Sequence, residues 1–220
     1  MSYQHCYADG SSARLPVGKV VCIGRNYADH AKELNNPIPA EPLLFMKPAT
    51  SIVPMAEPFA LPKGLGEVHF ETEMALLIGE RLSKVDEATA LAGISGVGLA
   101  LDLTLRDIQS QLKSQGQPWE KAKGFDGACP LSVFVPVADA GDLQQLQIRL
   151  TVNGELRQDG NTSMMLNPVA SLLSYISQFF TLEPGDVVLT GTPAGVGPVR
   201  PGDKLWVELD RCLRVETEAC

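Results

Sequence analysis

The sequence lacks a long apolar run, and no stretch approaches the roughly 18 residues that a membrane-spanning helix needs. Residues 1–15 contain polar and charged side chains where a secretory signal would need a continuous apolar segment. These two absences predict a cytoplasmic protein, or one in a compartment reached without a cleaved signal. They also predict no membrane partner.

An excess of basic residues is missing as well. The chain has 18 Lys and Arg residues against 26 Asp and Glu residues, and its formal net charge is −8. Nucleic-acid binding needs a clustered basic surface that neutralises phosphates, so no nucleic-acid partner is predicted. The same charge means that an anionic substrate would need a locally positive site.

The five cysteines contain no CxxC pair. They are scattered along the chain as Cys6, Cys22, Cys129, Cys212 and Cys220. This odd and scattered set favours neither a thiolate metal site nor a disulfide framework, and reduced thiols in a cytosolic protein are the simpler interpretation.

Internal repeats and low-complexity segments are also lacking, and 220 residues with 45% apolar content suit one sizeable core. Strand-like runs occur at residues 20–23, 68–78, 96–103, 146–152, 187–190 and 204–209. Helical patterns occur at residues 28–34, 104–115 and 167–180, the second with a capping-box-like start at Thr104-x-x-Asp107. Since strands do not alternate regularly with long helices, the pattern predicts an α+β, β-rich fold of mixed strands with a few flanking helices. The proline-rich loop over residues 35–43 resembles a mobile flap or is a plain connection.

Three carboxylates form the most informative pattern. Glu71 and Glu73 are two apart in a predicted strand and share a face, whereas Asp102 shares a strand face with the small residues Gly98 and Ala100. If the three converge, each pair about 4 Å apart repels by roughly 4 kcal/mol at an effective dielectric constant near 20. A divalent cation would remove this repulsion, and oxygen ligands favour Mg²⁺, Mn²⁺ or Ca²⁺ over Zn²⁺. The alternative is a solvated strand face for the glutamates and a helix cap for Asp102.

Six short motifs follow one another between about Gly18 and Leu209. They are Gly24-Arg25-Asn26-Tyr27-Ala28-Asp29-His30-x-x-Glu33, Lys47-Pro48, Glu71-x-Glu73, Ala100-Leu101-Asp102-Leu103-Thr104-x-Arg106-Asp107, Trp119-x-x-Ala122-Lys123-x-Phe125-Asp126 and Thr190-Gly191-Thr192-Pro193-x-Gly195-Val196-Gly197. In this order they resemble the catalytic domain of the fumarylacetoacetate hydrolase family, and most closely its short acylpyruvase and oxaloacetate decarboxylase branch. The resemblance implies a mixed β-roll over residues 18–210, with an N-terminal extension at 1–17 and a C-terminal tail at 211–220. It also implies a homodimer.

The resemblance assigns roles to individual residues. The implied ligands of a Mg²⁺ or Mn²⁺ ion are Glu71, Glu73 and Asp102. The implied catalytic residues are Lys123 and a water-activating dyad of His30 and Glu33 on a lid. The implied substrate contacts are Arg25, Gln109 and Thr192.

Local sequence alone leaves other interpretations open for these positions. Lys123 lies in Glu120-Lys121-Ala122-Lys123, where an exposed lysine is common, and His30 with Glu33 could be a surface i,i+3 pair. His69 adjoins the metal strand and is expected to support it or simply to pack. The turn from Gly191 to Gly197 has backbone N–H groups that can bind a carboxylate, or it is a bare hairpin. It has neither P-loop nor GxGxxG spacing, so no nucleotide site is predicted.

The first functional hypothesis is metal-dependent hydrolysis of a C–C bond in a small acylpyruvate, such as acetylpyruvate or fumarylpyruvate. It would proceed through a metal-bound pyruvate enolate, with water activated by His30 and Glu33 and with Lys123 balancing the negative charge. The alternative is oxaloacetate decarboxylation or tautomerisation, or a 2-hydroxyhepta-2,4-diene-1,7-dioate-type isomerisation. A catalytically inactive binding module is a further alternative, although no catalytic position of the family is missing.

Overall fold

The computed structural model describes residues 3–220. Within this range the strands are β1 (Val20–Gly24), β2 (Leu43–Lys47), β3 (Ile52–Pro54), β4 (Val68–Phe70), β5 (Thr72–Ile78), β6 (Ile94–Leu101), β7 (Thr104–Leu105), β8 (Cys129–Leu131), β9 (Val135–Pro136), β10 (Gln147–Val152), β11 (Glu155–Asn161), β12 (Val187–Leu189), β13 (Gly197–Pro198), β14 (Lys204–Leu209) and β15 (Leu213–Glu218). The α-helices are α1 (Ala28–Glu33), α2 (Glu87–Ala92), α3 (Arg106–Ser114), α4 (Glu120–Lys123) and α5 (Val169–Phe179). Short 3-10 helices occur at Ala49–Ser51, Val137–Asp139 and Thr162–Met164.

The main sheet is mixed. Its strand order is β2-β1-β12-β5-β6-β8-β3, and β9 also pairs with β6. Strands β1 and β12 are parallel, whereas β5 runs antiparallel to both β12 and β6. Two further sheets have the orders β11-β10-β14-β15 and β13-β4-β7. The prediction of an α+β, β-rich fold with few helices is confirmed.

Strand β5 lies in the centre of the core. All seven of its residues are buried, so it is covered on both faces. Met74, Leu76 and Ile78 pack in the large apolar cluster, while Ala75 and Leu77 pack in a second cluster on the opposite face. A strand held on both sides is a rigid base for the polar residues at its beginning.

The run predicted as one strand over residues 68–78 is two strands. Strand β4 pairs with β7 and β13, and β5 belongs to the main sheet, so Glu71 lies at the corner between two sheets. Strand β6 ends at Leu101, and Asp102 therefore follows the strand instead of lying within it. The corner places Glu71 beside the end of β6, because its main-chain carbonyl accepts a hydrogen bond from the Asp102 N–H at 2.8 Å.

The predicted capping box at Thr104 is wrong. Helix α3 begins at Arg106, its N-cap is Leu105, and no side chain caps it. Thr104 lies in β7, and its hydroxyl donates to the main-chain carbonyl of Asp102 at 3.1 Å. The threonine side chain is therefore directed into the buried site and does not reach the helix terminus. The other two predicted helices are confirmed within two residues at each end, as α1 and α5.

Segments near both ends of residues 3–220 are hydrogen-bonded to the rest of the fold. Strand β15 pairs with β14 along its whole length, and the main chain of Ala8 donates to the carbonyl of Phe134. The domain boundaries at residues 17/18 and 210/211 stay predictions. Among residues 3–220, no helix has the length and apolarity needed to cross a membrane.

Candidate metal and active site

The three predicted carboxylates converge. Glu71, Glu73 and Asp102 each offer an oxygen, and these atoms all lie within 4.8 Å of one another. All three residues are at most 5% exposed. The register of β5 against β6 brings them together, because Glu73 pairs with Ala100 and Thr72 with Leu101. The alternative of a solvated strand face and a helix cap is therefore wrong.

Lys123 lies against this cluster. Its Nζ donates to Glu71 Oε2 at 2.8 Å, to Asp102 Oδ2 at 2.7 Å and to the Thr104 hydroxyl at 2.7 Å. The residue is 2% exposed, so the exposed-lysine interpretation is wrong. Burial alone would lower the pKa of Lys123, but the charges of Asp102 and Glu71 outweigh it and raise the pKa above its usual value. The amine is consequently held as a cation inside the site.

Lys47 is a second buried lysine, to which the sequence assigned no role. It is fully buried, and its Nζ lies 2.7 Å from Asp102 Oδ1. The same ammonium donates to the carbonyls of Ala128, at 3.0 Å, and Lys123. Lys47 thus fixes both the Asp102 carboxylate and the backbone that carries Lys123. The only local feature that marks Lys47 in the sequence is its position at the end of a strand, directly before Pro48.

Glu71 is held by two cations. Its Oε1 accepts from Arg106 Nη2, opposite the contact between Oε2 and Lys123. Burial would raise the pKa of Glu71, but Lys123, Arg106 and His30 hold it well below the usual range. Arg106 also donates to Gln109 Oε1 at 2.7 Å, which ties the predicted substrate contact Gln109 to the metal cluster. Arg106 belongs to one of the six sequence motifs, but its local sequence predicts no role for it.

Glu73 differs from the other two carboxylates. Among residues 3–220 no Lys, Arg or His nitrogen lies within 4.0 Å of it, and its Oε2 accepts only the Gly191 N–H at 2.6 Å. Burial and the charges of Asp102 and Glu71 raise the pKa of Glu73 well above its usual value. A buried carboxylate without a cation, beside two further carboxylates, is a donor set that suits a hard divalent cation. The residues present therefore fit Mg²⁺ or Mn²⁺.

His30 and Glu33 form the predicted pair on α1. His30 Nδ1 lies 3.4 Å from Glu33 Oε2, and His30 is 5% exposed. The Glu33 carboxylate also accepts the Gly195 N–H. His30 is buried, whereas the Glu33 side chain is 32% exposed, so only the imidazole faces the protein interior. The interpretation as a mere surface pair is therefore wrong for His30.

The glycine-rich turn binds the protein's own carboxylates. The Gly191 N–H donates to Glu73, and the Gly195 N–H donates to Glu33. The turn therefore positions one of the three clustered carboxylates and one residue of the His30–Glu33 pair. The Thr192 hydroxyl accepts from Gln158 Nε2 at 2.8 Å. Gln158 is fully buried, also accepts from the Thr72 N–H, and was not found from the sequence.

A cavity that is partly open to solvent lies against the three carboxylates. Seven of the nine predicted site residues line it: Arg25, His30, Glu71, Glu73, Gln109, Lys123 and Thr192. Asp102, which is fully buried, and Glu33 are not among the lining residues. The remaining lining residues are Ile23, Gly24, Leu34, Asn36, Phe45, Arg106, Lys113 and Trp119. Four Lys or Arg side chains and two carboxylates line the cavity, which answers how a chain of charge −8 can attract an anion.

His69 does not belong to this site. Its Nε2 lies 2.8 Å from Glu67 Oε2, on the sheet formed by β4, β7 and β13.

Residues 19–218 match the family described as fumarylacetoacetate (FAA) hydrolase C-terminal. The oxaloacetate tautomerase YcgM of Escherichia coli K12 is 51% identical over 209 residues, which cover 94% of this chain and 95% of the relative. The mitochondrial oxaloacetate tautomerase FAHD1 of Bos taurus is 46% identical over 197 residues, covering 90% and 89%. The crystal structure of fumarylpyruvate hydrolase from Pseudomonas aeruginosa with Mn²⁺ and pyruvate is similar with a TM-score of 0.92 and 34% identity, covering 99% of this chain and 95% of that chain.

Proposed function

Because the chain belongs to the fumarylacetoacetate hydrolase family, we propose that it is an oxaloacetate tautomerase, which interconverts the enol and keto forms of oxaloacetate. The observation that carries this choice is the similarity to tautomerases at 51% and 46% identity along nearly the whole chain. The hydrolase with bound pyruvate is similar at 34% identity. The alternative function drawn from the sequence is thus better supported than its first choice, acylpyruvate hydrolysis.

The site has the groups that this reaction needs. Keto–enol interconversion moves one proton between C3 and the 2-oxo oxygen and breaks no C–C bond. His30 is the residue that moves this proton, because imidazole is a suitable acid and base near neutral pH. Its Nδ1 faces Glu33, which leaves Nε2 as the nitrogen that exchanges the proton.

Charge on the enolate oxygen is balanced by the cationic groups of the cavity. Lys123 is the buried cation that the structure places in contact with Glu71 and Asp102. A divalent cation held by Glu71, Glu73 and Asp102, as Mg²⁺ or Mn²⁺, would supply further electrophilic stabilisation of the 2-oxo oxygen. Arg25, Gln109 and Thr192 would orient the substrate, and the apolar wall with Phe45 and Trp119 limits access of water.

The second candidate is acylpyruvate hydrolysis. The observation that favours it is the His30–Glu33 pair, because hydrolysis needs an activated water and tautomerisation does not. Oxaloacetate decarboxylation would use the same enolate without a water. The homodimer and the cytoplasmic location stay predictions in either case.

One assay with three readouts separates these functions. Freshly dissolved oxaloacetate enol is given to the Mg²⁺-loaded enzyme, and enol absorbance and pyruvate release are followed together. Acetylpyruvate cleavage is measured in parallel, and each arm is repeated with EDTA. EDTA-sensitive loss of enol without matching pyruvate supports the tautomerase. Pyruvate formed at the rate of oxaloacetate loss would favour the decarboxylase, and cleavage of acetylpyruvate alone would favour the hydrolase.

A further inference from the structure

Two cations of the cavity have no acidic partner. Among residues 3–220, no carboxylate lies within 4.0 Å of a side-chain nitrogen of Arg25 or Lys113. Arg106 and Lys123, which line the same cavity, each pair with a carboxylate of the metal cluster. Part of the cavity therefore carries two positive charges that the protein itself does not neutralise.

Both cations converge on one oxygen atom. Asn36 Oδ1, in the loop between α1 and β2, accepts from Arg25 Nη2 at 3.1 Å and from Lys113 Nζ at 2.9 Å. A neutral amide oxygen is a weaker acceptor for two cations than a carboxylate oxygen would be. The position of this atom is consequently one that a ligand carboxylate can take over.

The backbone conformation at Arg25 and the helix that carries Lys113 set the positions of both cations. Arg25 has a φ of 61°, a left-handed conformation that costs free energy for a residue with a Cβ atom and tends to occur at functional sites. Lys113 follows Arg106 by seven residues and Gln109 by four on α3, so the three side chains share one helix face. Arg106, at one end of this face, contacts Glu71 of the carboxylate cluster, and Lys113, at the other end, contacts Asn36.

The electrostatic environment of Lys113 also favours an anion beside it. Partial burial, followed by the charges of Arg25 and Arg106, lowers the pKa of the Lys113 amine. The charge of Glu71 raises this pKa but does not compensate for the other three effects.

We infer that Arg25 and Lys113 bind the second carboxylate of a dicarboxylic 2-oxo acid, and that Asn36 occupies this subsite in its absence. The inference rests on the proposed function, in which a divalent cation held by Glu71, Glu73 and Asp102 would stabilise the 2-oxo oxygen, so that the second carboxylate is the one remote from that cation. A monocarboxylic 2-oxo acid has nothing to place there. The subsite accordingly makes the enzyme selective for oxaloacetate over pyruvate-like acids.

The test compares the binding of two unreacting probes to the Mg²⁺-loaded protein by calorimetry. The dicarboxylate 3,3-difluoro-oxaloacetate has no C3 proton to lose, and pyruvate supplies the monocarboxylate. The variants are Lys113→Gln, which removes one cation, and Asn36→Asp, which places a permanent carboxylate on both cations. Lys121→Gln is the matched control, because Lys121 is exposed and does not line the cavity.

We expect Lys113→Gln and Asn36→Asp to weaken difluoro-oxaloacetate binding about 10- to 100-fold, the effect of losing a hydrogen bond to a charged group. Pyruvate binding should change less than about twofold in both, and Lys121→Gln should change neither probe by more than that. Equal weakening of both probes, or no weakening of the dicarboxylate, would overturn the inference, since Asn36 would then only hold the loop.

The outcome for the proposed function is read separately. If the unmodified enzyme consumes the enol but Lys113→Gln does not selectively weaken dicarboxylate binding, the tautomerase proposal stands and the subsite proposal is wrong. Selective dicarboxylate binding without enol consumption keeps the subsite and rejects the tautomerase.

Discussion

The main-chain N–H of Gly195 donates to both carboxylate oxygens of Glu33, at 3.0 Å to Oε1 and 3.2 Å to Oε2. Glu33 in turn faces His30 Nδ1, so the glycine-rich turn fixes the acid that orients the proposed base. Gly195 has a φ of 100°, and a Cβ atom there would lie 1.9 Å from the Arg157 carbonyl oxygen. Only glycine can therefore donate from this position.

Glu33→Gln should lower kcat for oxaloacetate tautomerisation by about 10- to 100-fold, a part of the 10²- to 10⁴-fold that a complete general base contributes. The amide keeps an acceptor for Gly195 but loses the charge that orients the imidazole. KM should change little, because Glu33 does not line the cavity. Steady-state kinetics check this, with Glu41→Gln as the control, because Glu41 is exposed in the loop before β2 and does not line the cavity. An unchanged kcat would show that the dyad has no role in this reaction.

His30→Gln should have the larger effect, with kcat reduced about 100-fold or more, because the group that moves the proton is lost. The ring is 5% exposed, and glutamine fills a similar volume without imidazole chemistry. Single-turnover loss of enol measures the step directly. If His30→Gln kept full activity while Glu33→Gln lost it, the assignment of the proton to His30 would be wrong.

The sequence predicted the β-rich fold and the three carboxylates for physical reasons that are local. Glu71 and Glu73 lie two apart at the beginning of a strand whose last five residues are apolar, and Asp102 follows a run with small residues on one face. Such spacing is visible without a partner strand. Convergence itself depended on the β5–β6 register, which no local pattern encodes.

What the sequence could not show are the long-range partners. Lys47 reaches Asp102 across 55 residues of chain and Gln158 reaches Thr72 across 86, and the residues next to them in sequence do not indicate these partners. The capping prediction for Thr104 failed for the same reason, since the hydroxyl accepts from Lys123, which is remote in sequence. A buried polar network is specified by tertiary packing, which overrides local preference.

Lys47→Met should destabilise the protein by about 3–5 kcal/mol, because it leaves the buried Asp102 carboxylate without one of its two cations. Urea unfolding of the metal-free protein, measured at neutral pH, gives the free energy of unfolding. The double variant Lys47→Met/Asp102→Asn should recover part of this loss, since the orphaned charge is removed with its partner. Additive losses in the double variant would contradict a direct Lys47–Asp102 interaction.

Glu71→Gln and Glu73→Gln should change the stability of the metal-free protein in opposite directions. Lys123 and Arg106 hold the pKa of Glu71 below its usual range despite burial, so removing that charge should lower the melting temperature. Burial and the charges of Asp102 and Glu71 raise the pKa of Glu73, so removing its charge should raise the melting temperature. A change of about 1 kcal/mol corresponds to about 2–4 °C for a protein of this size. Both variants should lose the stabilisation that Mg²⁺ gives the unmodified protein.

The pH dependence follows from the sign of each shift. The folded state binds the Glu73 proton more tightly than the unfolded state does, so ionisation of Glu73 costs stability as pH rises through its raised folded pKa. Glu71, with its lowered folded pKa, contributes stability that is present above the unfolded value and is lost as pH falls through the folded one. In EDTA, Glu73→Gln should therefore flatten the loss of melting temperature on the alkaline side and leave the acid side unchanged. Scanning calorimetry of both variants between pH 4 and pH 9 checks this. If the melting temperature of Glu73→Gln changed with pH in parallel with that of the unmodified protein, Glu73 would not be the carboxylate whose ionisation Asp102 and Glu71 oppose.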